Sequence, residues 1–391
     1  MKIAFIGQKG IPAKFGGVEK HVDDLSRRLA AAGHEVLVYT RPNYTDPTLA
    51  HWQGVRLISV PSIGTKHLDA ITHTFRAVLD VARREVDVIH FHSIGPSSLI
   101  WLVKLLKPKT PVVATFHAQC YYHQKWGTFA RWYLKFGELV CLKLADRTIA
   151  VSRTLQKYAA NAYGRMVDYI PNGVETADQT VGETELSGWR LAAGSYVVAV
   201  SRLVRHKGLH YLIRAFKDLE TDKKLVIVGD GAFTDEYVAE LRQLAKDDES
   251  IIFTGNQTGE SLSQLFANAY LFVQPSESEG LSITLLEAMS YGRAVLISDI
   301  KENLEAAGEQ GLTFKSKSVR DLRERLAELL ADPELVRTSG ERNRERVKAL
   351  YNWNDISREI ISVYEQALSD KKAKKRFARL RLAGKMIGML F

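Results

Sequence analysis

Ser276-Glu277-Ser278-Glu279-Gly280-Leu281-Ser282-Ile283-Thr284-Leu285-Leu286-Glu287-Ala288-Met289 decides the fold of this chain. Polar residues run as far as Gly280-Leu281-Ser282, and an apolar run then begins, as when a loop enters a buried helix. Glu279 is thereby placed before the first turn, and Glu287, eight residues on, about two turns deeper. The start of such a helix offers unpaired N–H groups and the positive end of the macrodipole to an anion such as a diphosphate. A carboxylate beside it has another task, accepting hydrogen bonds from sugar hydroxyls. On this stretch alone, a capped core helix with one exposed carboxylate is an equally open reading.

A second stretch tips the balance. The apolar run Tyr196–Val200 leads into Ser201-Arg202-Leu203-Val204-Arg205-His206-Lys207-Gly208, and a helical pattern follows over Leu209–Leu219. Strand, short basic loop and helix start form a phosphate-binding layout, with Arg202 supplying a fork of donors and Lys207 a point charge. An ordinary charged βα loop explains less well why two cations and a glycine stand at the carboxyl end of a strand, where open α/β sheets bind ligands.

With these motifs the chain resembles the retaining, nucleotide-sugar-dependent glycosyltransferases of the GT-B fold, the family 4-like group with a Glu-x7-Glu motif. The similarity runs over roughly residues 1–365. It implies an α/β protein of two Rossmann-like domains facing across a cleft, and a hexosyltransferase activity. It also implies that Arg202 and Lys207 bind the donor diphosphate, that Glu287 binds the ribose, and that Glu279 contacts the donor sugar. Gly280, Leu281 and Ser282 join the donor site through the same loop.

The first half supplies the opposing wall. Lys2–Ile6 is a short apolar strand before a loop holding Gly7, Gly10, Gly16 and Gly17, and Val18–Ala32 is helical. Gly7 and Gly10 do not fit the G-x-G-x-x-G dinucleotide fingerprint, which argues against a nicotinamide dehydrogenase. Gly16 and Gly17 directly before a helix permit close approach of a phosphate or sugar, a use the resemblance also implies. His117 ends the strand Pro111–Phe116. A lone histidine there is more often structural, and His90, His92 and His206 are rival candidates; the resemblance gives His117 a place at the reacting face of the donor sugar. Asn172, in Ile-Pro-Asn-Gly-Val, is either an Asn-Gly turn or a cleft residue. Asp230, in Val-Gly-Asp-Gly, reads as a turn or cap. Asn256 follows a strand in the second half, at a loop the resemblance places near the nucleobase.

Alternating strands and helices imply parallel sheets with helices on both faces. The expected divisions are an acceptor-side domain over 1–180, a donor-binding domain over 190–355, a helix over 356–370 crossing back to the first domain, and a basic tail over 371–391. The polar stretch 175–194 is the expected linker, and a long charged helical region is expected over roughly 319–349. Acceptor choice is assigned to the loops 41–54 and 118–127.

Composition narrows the class. The 391 residues are 46% hydrophobic and 25% charged, as in a soluble globular protein, and no stretch approaches a membrane span. Cys120 and Cys141 offer neither a disulfide framework nor CxxC spacing, and the N-terminus reads as a strand rather than a signal peptide, so a cytoplasmic location is expected. No Asp-x-Asp occurs, and no His/Cys/Asp/Glu cluster has local metal-ligand spacing, so no metal and no cofactor are expected beyond the donor, a UDP- or GDP-sugar.

The net charge of +9 is concentrated in the tail: residues 371–391 hold eight Lys or Arg and no acid, and without those eight the chain has 46 basic and 45 acidic residues. Phe377, Leu380, Gly384, Ile387 and Phe391 fall on one side of a helix there. This pattern suits an anionic membrane surface better than nucleic acid. The expected partners are a nucleotide sugar, a glycan or lipid-linked acceptor and the inner face of a membrane, with polysaccharide biosynthesis as the setting. A nucleotide-sugar epimerase on the same fold, or a non-catalytic membrane scaffold, are the competing readings. Donor consumption without acceptor would mark the first, and Arg202, Lys207, Glu279 and Glu287 standing together argue against the second.

Overall fold

A computed structural model describes residues 1–387 apart from 66–67, 123–126, 178–180, 232–233 and 309–310, with side chains described as far as Ala373. The first lobe begins with β1 (Lys2–Ile6), α1 (Gly17–Ala31), β2 (Glu35–Thr40), β3 (His51–Trp52) and β4 (Val55–Ser59). It continues through α2 (Asp69–Ala82), β5 (Val88–His92), α3 (Ile94–Ser97), α4 (Ile100–Leu106) and β6 (Val112–Phe116). α5 (Thr128–Leu144), β7 (Arg147–Ala150), α6 (Arg153–Tyr163) and β8 (Asp168–Tyr169) complete it. The strands order β3-β4-β2-β1-β5-β6-β7-β8, and only the β3–β4 pair is antiparallel. Central strands such as Val36–Tyr39 and Val112–Phe116 are buried along their length, as expected for a sheet covered on both faces.

In the second lobe the chain runs β9 (Tyr196–Val200), α7 (Leu209–Lys217), β10 (Lys224–Val228), α8 (Asp235–Leu244) and β11 (Ile251–Gly255). α9 (Gly259–Ala267), β12 (Leu271–Gln274), α10 (Ile283–Ser290), β13 (Ala294–Ser298), α11 (Lys301–Ala307) and β14 (Leu312–Phe314) follow. These strands form a wholly parallel sheet ordered β11-β10-β9-β12-β13-β14. Strand order reverses between β1 and β5 in one lobe and between β9 and β12 in the other. Such reversals open a crevice at the carboxyl ends of the strands. The Gly7–Gly17 loop, the basic loop and the 275–282 loop all leave from these points.

Three expectations need correcting. The charged region is two helices, α12 (Val319–Ala331) and α13 (Pro333–Leu350), because Pro333 cannot continue the first helix and opens the second. The Asp332 side chain caps α13 by accepting from Leu335 N–H at 2.9 Å. Glu287 lies one turn, not two, inside α10, whose first residue is Ile283. Within the linker, Thr184–Trp189 forms a 3₁₀ segment, anchored because Leu186 is fully buried.

The last helix, α14 (Trp353–Ile387), returns to the first lobe. Trp353, Ile360 and Tyr364 pack into one core with Phe5, Val22 and Leu25. Tyr364 Oη lies 2.7 Å from His90 Nδ1, and Val174 N–H donates to the Tyr351 carbonyl at 2.9 Å. The Trp353 ring covers Gly173, where a Cβ would overlap it. Burying one such indole is worth on the order of 3 kcal/mol. The helix runs on past residue 370, since Lys, Ala, Arg and Leu are strong helix formers and no proline intervenes. The tail stripe of Phe377, Leu380, Gly384, Ile387 and Phe391 lies outside the described side chains. Among the described residues no helix is long and apolar enough to cross a membrane.

Candidate active site

Lys207 and Glu279 meet at the mouth of the second lobe, Nζ to Oε1 at 2.6 Å, with both side chains largely buried. Two further contacts hold their loops together: Glu277 N–H donates to the His206 carbonyl at 2.8 Å, and Tyr211 Oη donates to Glu277 Oε1 at 2.9 Å. Gly208 permits this approach. Its φ is +71°, and a Cβ there would overlap the Pro275 carbonyl. Arg205, by contrast, turns away to pair with Glu240 and lies 4.9 Å over the Tyr237 ring.

Arg202 is half-buried and has no ion-pair or hydrogen-bond partner for its guanidinium among the described residues. Its charge acts on Lys9, in the loop that follows β1 in the opposite lobe. Burial holds the Lys9 ammonium below the ordinary lysine pKa, and Arg202 and Arg41 push it the same way against the pull of Glu19. Cations gathered in a sheltered crevice repel one another, and an anion between them relieves that repulsion. Sequence reasoning missed Lys9. Its loop was noted only for its glycines, and its meaning comes from what faces it across the cleft.

The starts of α1 and α10 also oppose each other: a Cβ on Gly17 would lie 3.9 Å from Ile283 Cδ1. Gly16 stands at the N-cap of α1 with φ +101°. Ser282 is the N-cap of α10. Its hydroxyl donates to Gln274 Oε1 at 2.7 Å and accepts from Leu285 N–H at 3.4 Å, so the side chain is engaged within its own lobe. Two helix N-termini therefore point their unpaired N–H groups at one crevice.

Just inside it, burial pushes the Glu287 carboxyl up to about 7, with Lys20 opposing the shift and Asp24 adding to it. Lys20 comes from α1 and pairs with Asp24 at 3.1 Å. Burial works against its ammonium, but Asp24 and Glu287 together hold its pKa above the ordinary lysine value.

Direct contacts close the cleft. Asn172 is buried and donates through Nδ2 to the Leu281 carbonyl at 2.8 Å. Asn256 Nδ2 donates to the Lys14 carbonyl at 3.1 Å. Gly280 lies against the His117 carbonyl so closely that a Cβ would overlap it. Asn172, Asn256 and Gly280 were assigned to donor binding from sequence, and the fold gives each a contact between lobes. Asp230 stays an exposed turn residue, its Oδ1 accepting from Gly231 N–H at 2.7 Å.

His117 Nε2 lies 3.1 Å from His92 Nδ1, and the His21 ring meets His117 edge-on at 5.0 Å between centroids. Burial pushes His21 down to about 4 and holds His92 and His117 well below the ordinary histidine value, so all three rings are neutral. Among the described residues Nε2 of His92 has no hydrogen-bond partner, and the polar neighbour of the His21 ring is Asn172. The sequence offers no local metal-ligand spacing. The fold brings His21, His92 and His117 together from three elements, with one ligand atom of each within 4.8 Å of the others. No local pattern announces such a set.

Two family profiles match the chain in succession: Glycosyltransferase Family 4 over residues 15–178 and Glycosyl transferases group 1 over residues 192–346. Among curated proteins, the chain is 29% identical over 363 residues to the phosphatidyl-myo-inositol mannosyltransferase of Mycolicibacterium smegmatis, covering 90% of each chain. Among solved structures, sucrose-phosphate synthase from Thermosynechococcus elongatus matches 94% of this chain and 99% of its own, with a TM-score of 0.81 and 24% identity. HepE of Anabaena, solved with UDP-glucose, matches 94% of this chain and 100% of its own at a TM-score of 0.77 and 20% identity.

Proposed function

The chain belongs to the family 4-like glycosyltransferases of the GT-B fold, and on that footing we propose that it transfers a hexose from a UDP- or GDP-sugar to an acceptor hydroxyl with retention of anomeric configuration. One observation carries this reading: Lys9 in one lobe feels the like charges of Arg202 from the other lobe and of Arg41, offset in part by Glu19 and Asp69, beside Lys207 and two helix N-termini. That arrangement suits a diphosphate, and it gains strength as the leaving group takes on charge. The C1–O bond to the diphosphate breaks while the acceptor oxygen bonds C1 from the same face, and the acceptor's proton passes to the departing phosphate oxygen. Glu279, held by Lys207, is positioned for donor-sugar hydroxyls and Glu287 for the ribose. His117 lies where the two lobes touch, beside the reacting sugar. Glu279 and Glu287 are assigned to binding rather than to the acid and nucleophile roles of a glycosidase pair.

The acceptor in this proposal is a lipid-linked or cell-envelope glycan precursor, met at the cytoplasmic membrane surface. The name of the Mycolicibacterium relative, a phosphatidyl-myo-inositol mannosyltransferase, supports that class. Nothing favours an epimerase.

A panel of nucleotide sugars scored by thermal unfolding tests the reading. The true donor at about 100 times its Kd stabilises the protein by about 2.7 kcal/mol. A panel in which no nucleotide sugar raises the midpoint contradicts it. Protein stripped with EDTA is expected to keep its full transfer rate, because Arg202, Lys9 and Lys207 do the neutralising. A loss restored by Mg²⁺ or Mn²⁺ would assign that task to a metal instead.

Glu287 makes donor binding depend on pH. Hydroxyls donating to its carboxylate favour the ionised form, so the bound state has a lower pKa than the free value of about 7. Donor affinity is therefore level well above pH 7 and weakens by up to about tenfold per unit as pH falls from there toward the lower, bound-state pKa, where it levels off. Calorimetry with the intact nucleotide sugar, whose diphosphate does not titrate in this range, checks the slope. Glu287→Gln should flatten it, and an unchanged slope in that variant would remove Glu287 from the ribose site.

A further inference from the structure

α5 carries an outward face of unusual character. Phe129 is 79% exposed, Trp132 64%, Phe136 37% and Leu139 43%, and their spacing puts them on one stripe. The rings form a ladder, with Phe129–Trp132 and Trp132–Phe136 centroids each 6.3 Å apart at interplanar angles of 29° and 12°. α4 packs beside α5 and adds Leu105, 70% exposed, and Leu106. A soluble amphipathic helix turns its polar side outward. This one buries Leu134, Val140 and Leu142 and presents aromatics to solvent as well.

The charge around this stripe is one-sided. Residues 99–145 hold seven Lys or Arg and a single acid, Glu138. Glu138 is fully buried, accepting from the hydroxyls of Tyr158 and Tyr163 at 2.8 and 2.7 Å, so it offers no charge to the surface. Outside this segment and the tail, the chain has 39 basic and 44 acidic residues. The fold joins the two basic segments. Lys371, where the tail begins, donates to the Pro108 carbonyl at 3.1 Å and lies 3.4 Å from Asp146, just beyond the ends of α4 and α5. Arg147 pairs with Asp370 at 3.0 Å at the same place.

We propose that the α4–α5 face docks on a bilayer containing anionic lipid, with the aromatic stripe seated in the interface and the surrounding cations over the headgroups. Exposed aromatic side chains in a segment rich in Lys and Arg, whose one acid is buried, suit that boundary. α5 begins at Thr128, directly after the stretch of sequence to which acceptor choice is assigned, so docking here brings that end of the first lobe to the membrane. The inference rests on the reading of a membrane-borne acceptor and names the surface that meets it.

Flotation of the full-length protein with phosphatidylcholine vesicles, with and without phosphatidylglycerol, tests it. Wild type is expected to float with the anionic vesicles, less so as salt rises, and F129E/W132E to lose about tenfold or more in partitioning. Both substitutions are at exposed positions, and an unchanged thermal midpoint checks the fold. Equal flotation of the two proteins would leave binding to the tail alone and overturn the proposal, as would no flotation of wild type. Light scattering without lipid serves as the second readout. A wild-type dimer that F129E/W132E dissociates would show that a second copy covers this face. Donor-induced thermal shifts are measured on the same samples, so failure of the donor-site reading appears there, separately from vesicle binding.

Discussion

Arg202→Ala is expected to lower kcat/KM by about 10²–10³, or roughly 2.7–4 kcal/mol of transition-state stabilisation, in a protein that melts as wild type does. The fold is spared because the guanidinium makes no hydrogen bond within the described structure. Its task is electrostatic and concerns a ligand. Its charge and that of Lys9 work against each other between the lobes, and a departing diphosphate bound there relieves that repulsion. Arg202→Lys keeps the charge but loses the planar fork, so it should recover only part of the activity. Lys207→Ala should be as damaging to turnover and also costs some stability, because it leaves Glu279 without its partner at 2.6 Å. Steady-state kinetics with a fixed donor, alongside thermal melts, separates these effects. Arg202→Ala with wild-type kinetics would place the diphosphate elsewhere.

The second large effect is expected at Gly280, and its cause is steric. A Cβ at this position would overlap the backbone carbonyl of His117 in the facing lobe. Neither partner is a flexible side-chain end, so the overlap is relieved only by parting the lobes. Gly280→Ala should therefore fold normally and bind nucleotide on the second lobe, yet lose about 10² in kcat, since an ångström of misplacement is enough to cost that much. The Asn172–Leu281 and Asn256–Lys14 contacts would loosen together with it. Small-angle scattering should report a larger radius for this variant in the presence of donor. A variant with full kcat and an unchanged radius would show that the His117–Gly280 contact plays no part in turnover.

What the sequence made legible follows the range of each interaction. The basic loop could be read because strand, cations and helix are contiguous, and the parallel α/β lobes because their strands are apolar throughout. Pro333 was visible in the charged region, but the helical period on either side of it concealed the break. Ser282 could be placed in the donor loop from sequence, but that its side chain caps α10 and bonds Gln274 became visible only in the fold. Residues whose meaning depends on a distant partner stayed hidden. Lys9 matters through Arg202, and His21 and His92 through His117, each arriving on a separate element. The aromatic stripe on the solvent side of α5 became visible only once the fold showed which of its faces is buried. The same holds for the two basic segments, which adjoin only because α14 crosses back to the first lobe.

A crystal structure with nucleoside diphosphate bound at saturation tests the central claim most directly. The diphosphate should lie between Arg202, Lys207 and Lys9, at the facing starts of α1 and α10, with the ribose hydroxyls on Glu287. A diphosphate bound away from these cations, or a cleft left empty at saturating nucleotide, would contradict the account.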